Sequence, residues 1–403
     1  MATQTQWLKL QILSAASGIS FLGSAMTTFA VVLRDKNSQG PAGVSVLFLC
    51  MLLPSIFLSP WAGLLADRYS TRKLMPPLLA LMSLCSLSLA FGFPIWWSYL
   101  ALLVSSSANT AVNASFNALI PSLTTKEDLT RANGLQTTFS AMGSLIAPAA
   151  GGVLVSTTGF FWPFIIDSIS FLVLIMVILL LKVDRTIGNQ KEEGLKVLAG
   201  LKFVFQDKLV RSIVILVTVL IVSLGVIQVG EVFLIIDELQ GNPLIYGLVG
   251  AIFASGAVIG GAFAALAKVP MRYHLTIVSV AIIYVAVAVI TIGNAHHWWV
   301  VMVFGFMGGI AMSLLNAYGT GLVQHRTPDE VRGRVMSTFG AVITVGTATS
   351  MGLAGAAIST FGVRNVFVGA GILGLIIIFS LGPSVLKNRP RYPKSKTDAK
   401  ASK

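Results

Sequence analysis

The chain is a succession of apolar runs, each about long enough to cross the hydrocarbon core of a bilayer, separated by short polar or basic segments. This pattern constrains the fold more than any motif does. A backbone in lipid must satisfy its own hydrogen bonds, and a run of this length does so as a helix. The runs predict twelve helices, at about residues 8–33, 42–66, 74–93, 96–120, 134–157, 160–182, 209–236, 244–268, 273–293, 298–323, 335–359 and 363–385. Composition excludes a soluble domain, with 55% hydrophobic residues, 11% charged residues and a mean hydropathy of +0.84. The first run follows Lys9 and is too long for a signal-peptide core, so it is expected to remain as the first helix.

The charges set an orientation. With the N-terminus inside, all but three of the 28 Lys and Arg fall in the segments expected to be cytoplasmic; the exceptions are Arg34, Lys36 and Arg364. The net charge of +13 is therefore topological, and no nucleic-acid face is implied. Both termini are expected in the cytoplasm and the chain in the cell (inner) membrane. The densest basic stretch, Lys182 to Arg211, divides the protein. It gives an N-terminal six-helix bundle (1–182), a linker (183–208), a C-terminal six-helix bundle (209–386) and a basic tail (387–403). Leu195, Leu198, Leu201 and Phe205 recur at helical spacing within the linker, as a helix on the membrane surface or a solvated linker helix. A weak internal repeat agrees with two halves. Asn113 and Asn316 share a 203-residue offset with Gly159 and Gly362.

Four groups of residues carry candidate chemistry. Between the second and third helices run Gly63, Asp67, Arg68, Arg72 and Lys73; positive-inside charge explains the bases but not Asp67. The fifth helix carries Gly143, Pro148, Gly151 and Gly152, small residues for close approach and a proline for a bend. Two acids lie within predicted helices, Asp167 and Glu231, and such acids are costly enough to be functional candidates. Either exchanges protons or cations, or ties helices together; Gln228, three residues before Glu231, is placed to hydrogen-bond it. Finally, Ser105, Asn109, Asn113 and Asn117 form one stripe on the fourth helix, and Ser313, Asn316, Thr320 and Gln324 form another on the tenth. Such stripes either line a cavity or bond a neighbouring helix, with Phe21, Ser24 and Thr28 of the first helix nearby.

The segment from Gly63 to Lys73 resembles the signature loop of the major facilitator superfamily, with Ser70 where the family usually has Gly. The fifth-helix motif resembles the one that marks exporters, with Ala147 for a usual Gly. The stretches 120–134, 164–171 and 328–335 resemble the branch that holds macrolide and siderophore exporters. The resemblance implies an all-α membrane protein of twelve helices in two pseudo-symmetric bundles. It places Asp67 near Arg332 and Arg334 at the start of the eleventh helix as a cytoplasmic gate, and puts helices one, four, seven and ten around the pathway. The implied function is export of an amphipathic small molecule, drug-like or siderophore-type, by proton antiport. The partners are a substrate, the proton gradient and the bilayer, and the chain is expected to act as a monomer.

Two departures weaken the proton reading. No acid lies between Leu10 and Leu33, and no Arg between Trp96 and Ile120, where proton-coupled drug exporters of the superfamily often carry them. A nutrient importer or uniporter, and a lipid-handling or receptor platform on the same fold, are the alternatives. The sequence shows no nucleophile, metal or cofactor constellation and no phosphate loop, so an enzyme is not expected. Asp237 and Glu238 fall at the outer end of the seventh helix, His296 and His297 in an outer loop, and His274 and His325 at inner edges. All of these are expected to be solvated. Cys50 and Cys85 lie in separate predicted helices and imply no disulfide.

Overall fold

The structure, a computed structural model, describes residues 4–125, 127–184, 218, 225–267, 269–327 and 329–387; for 326, 329–332, 334 and 381–387 it describes the backbone alone. The described residues form helices and their connections. They are α1 (Trp7–Arg68), α2 (Thr71–Leu89), α3 (Ile95–Leu123), α4 (Leu129–Thr158), α5 (Phe161–Leu180), α6 (225–233, ending in a π turn at Leu234–Glu238), α7 (Pro243–Leu266), α8 (His274–Gly293), α9 (Trp298–Arg326), α10 (Asp329–Phe361) and α11 (Val363–Lys387).

At 62 residues α1 would be roughly 90 Å long if straight, three times the apolar thickness of a bilayer. Gly40, at φ 63° and ψ −156°, folds it back so that it supplies the first two of the twelve spans. Only glycine occupies that region without strain. Gly159 makes the same kind of turn at φ 74° after α4, and Gly362 at φ 78° after α10. The Gly159 amide donates to the Val155 carbonyl and the Gly362 amide to the Ile358 carbonyl. Both ends of these two bonds keep the 203-residue offset of the repeat. So do Phe164 and Phe367, each fully buried.

Eight of the described helices are apolar enough to cross a membrane on composition alone. α3 is not among them, because its serines and asparagines dilute it, and those side chains turn inward as described below. α1 packs on α3, α4 and α5, and α2 on α3 and α5; α7 and α8 both pack on α9, and α8 packs on α11. Between the two sets, α4 meets α7 and α1 meets α10.

Glycines set both crossings. A Cβ on Gly152 would lie 2.8 Å from the Pro243 carbonyl oxygen, and one on Gly247 would collide with the Pro148 carbonyl. One on Gly355 would lie 2.7 Å from the Pro41 carbonyl oxygen. The buried hydrophobic residues follow the same geometry. One cluster joins Phe29–Leu33, Val44, Leu89, Val155 and Phe164 to Val229, Val232, Phe233, Leu234, Ile235 and beyond, so it crosses between the halves near Gly40. The other, from Leu10 and Met75 to Leu119 and Ile178, belongs to the N-terminal half alone. The halves are thus packed together at the Gly40 end.

Candidate functional site

A cavity of about 600 Å³ opens in the N-terminal half between α1, α2, α3, α4 and α5. The period of α3 puts Asn109, Asn113 and Asn117 on one face, and all three are exposed into this space. Ser24, Thr28 and Phe21 face it from α1, and Gln136 and Ser140 from α4. The Gln136 amide donates to Ser17 Oγ at 3.1 Å, which fixes one edge. The matching stripe on α9 behaves differently. Ser313 donates to the Ala257 carbonyl of α7 at 2.7 Å, and Asn316 and Thr320 line neither of the cavities described here.

The two acids have opposite surroundings. Asp167 of α5 is 2% exposed and held by two neighbouring helices. Ser24 Oγ of α1 donates to its Oδ1 at 3.1 Å, Ser86 Oγ of α2 lies 2.8 Å from its Oδ2, and Thr27 also faces the carboxyl. Ser86 Oγ is 3.1 Å from the Phe164 carbonyl as well, so its one proton serves one acceptor at a time. Gly23 allows this approach, since a Cβ there would sit 3.0 Å from Asp167 Oδ1. Asp167 therefore does the work of a three-helix tie. It also touches the large cavity indirectly, because Ser24 lines it.

Glu231 lies in a second, smaller cavity of about 290 Å³ within the C-terminal half, with Gln228, Phe253, Phe304 and Met312 among its neighbours. It is half-buried, and its carboxyl makes no hydrogen bond or ion pair among the described residues. The hydrogen bond expected from Gln228 is not formed, because Gln228 is exposed along the cavity wall.

The Gly40 end carries charges whose roles differ from those expected. Asp237 and Glu238 are not simply solvated. Lys36 Nζ lies 2.5 Å from Asp237 Oδ1, linking α1 to the π turn of the other half. Arg364 Nε donates to Glu238 Oε2 at 2.7 Å, and its Nη1 donates to the Ala295 carbonyl at 2.6 Å. Arg34 donates to the Leu89 carbonyl and to Ser98, with its guanidinium over the Phe164 ring. The three bases on the unexpected side of the charge pattern are thus all engaged in structure. The first helix also continues past Leu33, and Asp35 within it is fully buried, so this helix does contain an acid. Tyr99 faces Asp35, yet both carboxyl oxygens lack a hydrogen bond. Two turns below Lys36, the Phe29 ring stacks on Tyr246 of α7, with centroids 4.9 Å apart and planes at 20°.

In α4, Gly143 packs on Phe21 and the Gly18 carbonyl, and Gly151 on Phe29, while Gly152 and Pro148 meet α7. The motif therefore clamps one helix between its own half and the other. At the opposite end, Asp67, Arg68, Arg72 and Lys73 are exposed, and Gly63 borders open space. The side chains of Arg332 and Arg334, and the linker helix with Leu195, Leu198, Leu201 and Phe205, lie outside the described residues. His274 is half-buried rather than solvated. Its Nε2 sits 3.1 Å from the Val269 carbonyl, and its ring packs on Tyr318.

Residues 7–400 match the family of transmembrane secretion effectors, a branch of major facilitator transporters. The chain belongs to that family. The macrolide efflux protein A of Streptococcus pyogenes is 22% identical over 395 residues, covering 94% of this chain and 96% of that protein. The multidrug resistance protein MdtG of Citrobacter koseri is 29% identical, covering 83% of each. Among solved structures, the nucleoside transporter NupG has a TM-score of 0.71 at 15% identity, covering 95% of this chain and 99% of that one. A bacterial homologue of the iron transporter ferroportin also has a TM-score of 0.71 at 15% identity, covering 94% and 99%. These structural likenesses establish the fold; the family match and the efflux relatives make the chain a multi-pass transporter of the major facilitator type that resembles the macrolide exporter branch.

Proposed function

We propose that this family member exports an amphipathic small molecule, drug-like or siderophore-type, from the cytoplasm across the inner membrane by alternating access, with protons entering in exchange. The observation that carries this reading is the 600 Å³ cavity, whose size suits a drug-sized organic molecule and whose wall mixes Phe21, Met82 and Phe171 with three asparagine amides. The names of the efflux relatives support the direction.

In this reading both termini are cytoplasmic, the unit is a monomer, and the bundles 1–182 and 209–386 rock about the cavity. The Gly40 end is then the outer face, closed by the Phe29–Tyr246 stack and the Lys36–Asp237 pair. The opposite gate is formed by Gly63, Asp67, Arg68, Arg72 and Lys73 with Arg332 and Arg334. Glu231 is the first candidate for the proton and Asp167 the second, since Glu231 has a water-sized space beside it and Asp167 is occupied as a tie.

The test is transport by the purified protein in liposomes of known orientation, with an imposed proton gradient. Outward-directed movement of an amphiphilic fluorescent compound that needs the gradient supports export. Movement that concentrates the compound in the cytoplasmic direction would establish an importer instead.

A further inference from the structure

Just before α1, a short segment of the chain is fastened to the start of α4. The Thr5 hydroxyl is fully used: it donates to Asp128 Oδ2 at 2.6 Å and accepts from the Thr125 amide at 3.2 Å. The first of these goes to a carboxylate, the stronger kind of acceptor. The Gln6 amide donates to the Leu123 carbonyl at 3.0 Å, and the Arg131 guanidinium lies over the Trp7 ring, 4.7 Å from its centroid. Asp128 immediately precedes α4, where an aspartate ordinarily caps the helix, yet its side chain makes no capping bond. It holds Thr5 instead.

The second half departs from the first at this point. Thr124 and Thr327 keep the 203-residue offset of the repeat, and each donates to the carbonyl four residues before it, of Ile120 and Val323. The next pair in register is Thr125 and Pro328. A proline has no amide hydrogen, so the bond from the Thr125 amide to Thr5 has no equivalent at Pro328.

The consequence lies along α4. Gln136 and Ser140 face the large cavity from this helix, and Pro148, about 30 Å from Asp128 at 1.5 Å per residue, meets α7 of the other half. α4 is thus gripped by its own half at one end and by the opposite half further along. A helix held in this way either follows α7 as a rod or bends at its proline, and a fastened end favours the bend. We propose that Thr5 and Asp128, with Trp7 and Arg131, form a latch that keeps the start of α4 on α1 and α3, so that α4 flexes at Pro148 when the halves part at the Gly40 end. Gln136 and Ser140 then keep their place in the cavity wall. The latch rests on the alternating-access reading.

The test is amide hydrogen exchange of the purified protein in lipid nanodiscs, read over residues 132–140. Thr5→Val and Asp128→Ala are each expected to speed exchange there about tenfold, the loss of one hydrogen bond to a carboxylate, and Thr5→Ser should keep the wild-type rate. Lys36→Met, which loosens the Gly40 end, should leave this stretch slow while Thr5 is present and add at least threefold when combined with Thr5→Val. A tie that served folding alone would give the same rates with and without Lys36→Met. Wild-type exchange in Thr5→Val or Asp128→Ala, loosening of the stretch by Lys36→Met alone, or no added effect of Lys36→Met in the Thr5→Val background would overturn the proposal. Thr5→Val and Asp128→Ala remove one bond from its two sides, so either decides should the other fail to fold. Neither substrate nor gradient enters, so this result and the liposome result can fail separately.

Discussion

Lys36 and Asp237 come from opposite halves of the protein and meet at 2.5 Å, with the Lys36 side chain 8% exposed and Asp237 53% exposed. The pair is asymmetric: the lysine is committed to the contact, and the aspartate shares itself with solvent. Lys36 also lies over the Phe233 ring, 5.7 Å from its centroid, so both partners of the lysine belong to the other half. Any motion that parts the halves at the Gly40 end must break both contacts.

Removing this pair should therefore loosen the Gly40 end without unfolding the protein. A partly exposed ion pair contributes about 1 kcal/mol or less. Lys36→Met and Asp237→Asn are each expected to widen the distance between spin labels on the two halves at this end. The exchanged pair, Lys36→Asp with Asp237→Lys, should restore the wild-type distribution. Unchanged distances in the single variants would show that the hydrophobic contacts alone hold this end closed.

Bulk at the α4–α7 crossing should be poorly tolerated. Gly152→Leu and Gly247→Leu would each push side-chain atoms into backbone of the facing helix. Overpacking of this kind costs about 1–3 kcal/mol. The expected outcome is a lower thermal unfolding midpoint, with a widened Gly40 end in whatever folds. Gly305→Ala, which faces open space, serves as the comparison and should leave the midpoint nearly unchanged.

The turns at Gly40 and Gly159 should be intolerant of any side chain for a conformational reason alone. Neither has an atom within 4 Å of a built Cβ, so no clash is involved. Both occupy a backbone region that is essentially reserved for glycine, and Ala there is expected to cost about 1–3 kcal/mol. The unfolding midpoints of Gly40→Ala and Gly159→Ala check this.

Asp167 can be separated into a tie and a proton carrier. Asp167→Ala takes the side-chain acceptor from Ser24 and leaves Ser86 only the Phe164 carbonyl, so it should destabilise by about 1–3 kcal/mol in all. Asp167→Asn keeps the shape and one acceptor oxygen, so it should fold nearly as well. Gradient-driven transport that persists in Asp167→Asn would confine the residue to its structural role.

Much of this was legible in the sequence because it is periodic. The asparagines of α3 fall on one face by helical arithmetic, and lone acids in apolar runs mark themselves. The Gly159 and Gly362 turns announce a repeat by their spacing. What was not legible depended on partners far along the chain. Asp237 reads as a solvated acid at a helix end because Lys36 lies 201 positions away. Asp35 gives no signal in the sequence, because Arg34 and Lys36 flank it and such a cluster looks like the end of a membrane run. The helix instead continues, with Arg34 bonded to the Leu89 carbonyl and Lys36 paired across the halves. The stripe on α9 had the same period as that on α3, yet Ser313 spends its hydroxyl on the Ala257 carbonyl. Spacing identifies a face, and packing decides what the face meets.

The central claim is gradient-driven export that uses Glu231. It is measured most directly as accumulation of a labelled amphiphilic amine in inside-out membrane vesicles, with and without a proton gradient, for wild type and Glu231→Gln. The expected result is accumulation by wild type that collapses when the gradient is discharged and is at least tenfold lower in Glu231→Gln at equal protein level. Accumulation that is unaffected by the gradient and by the substitution would contradict the account.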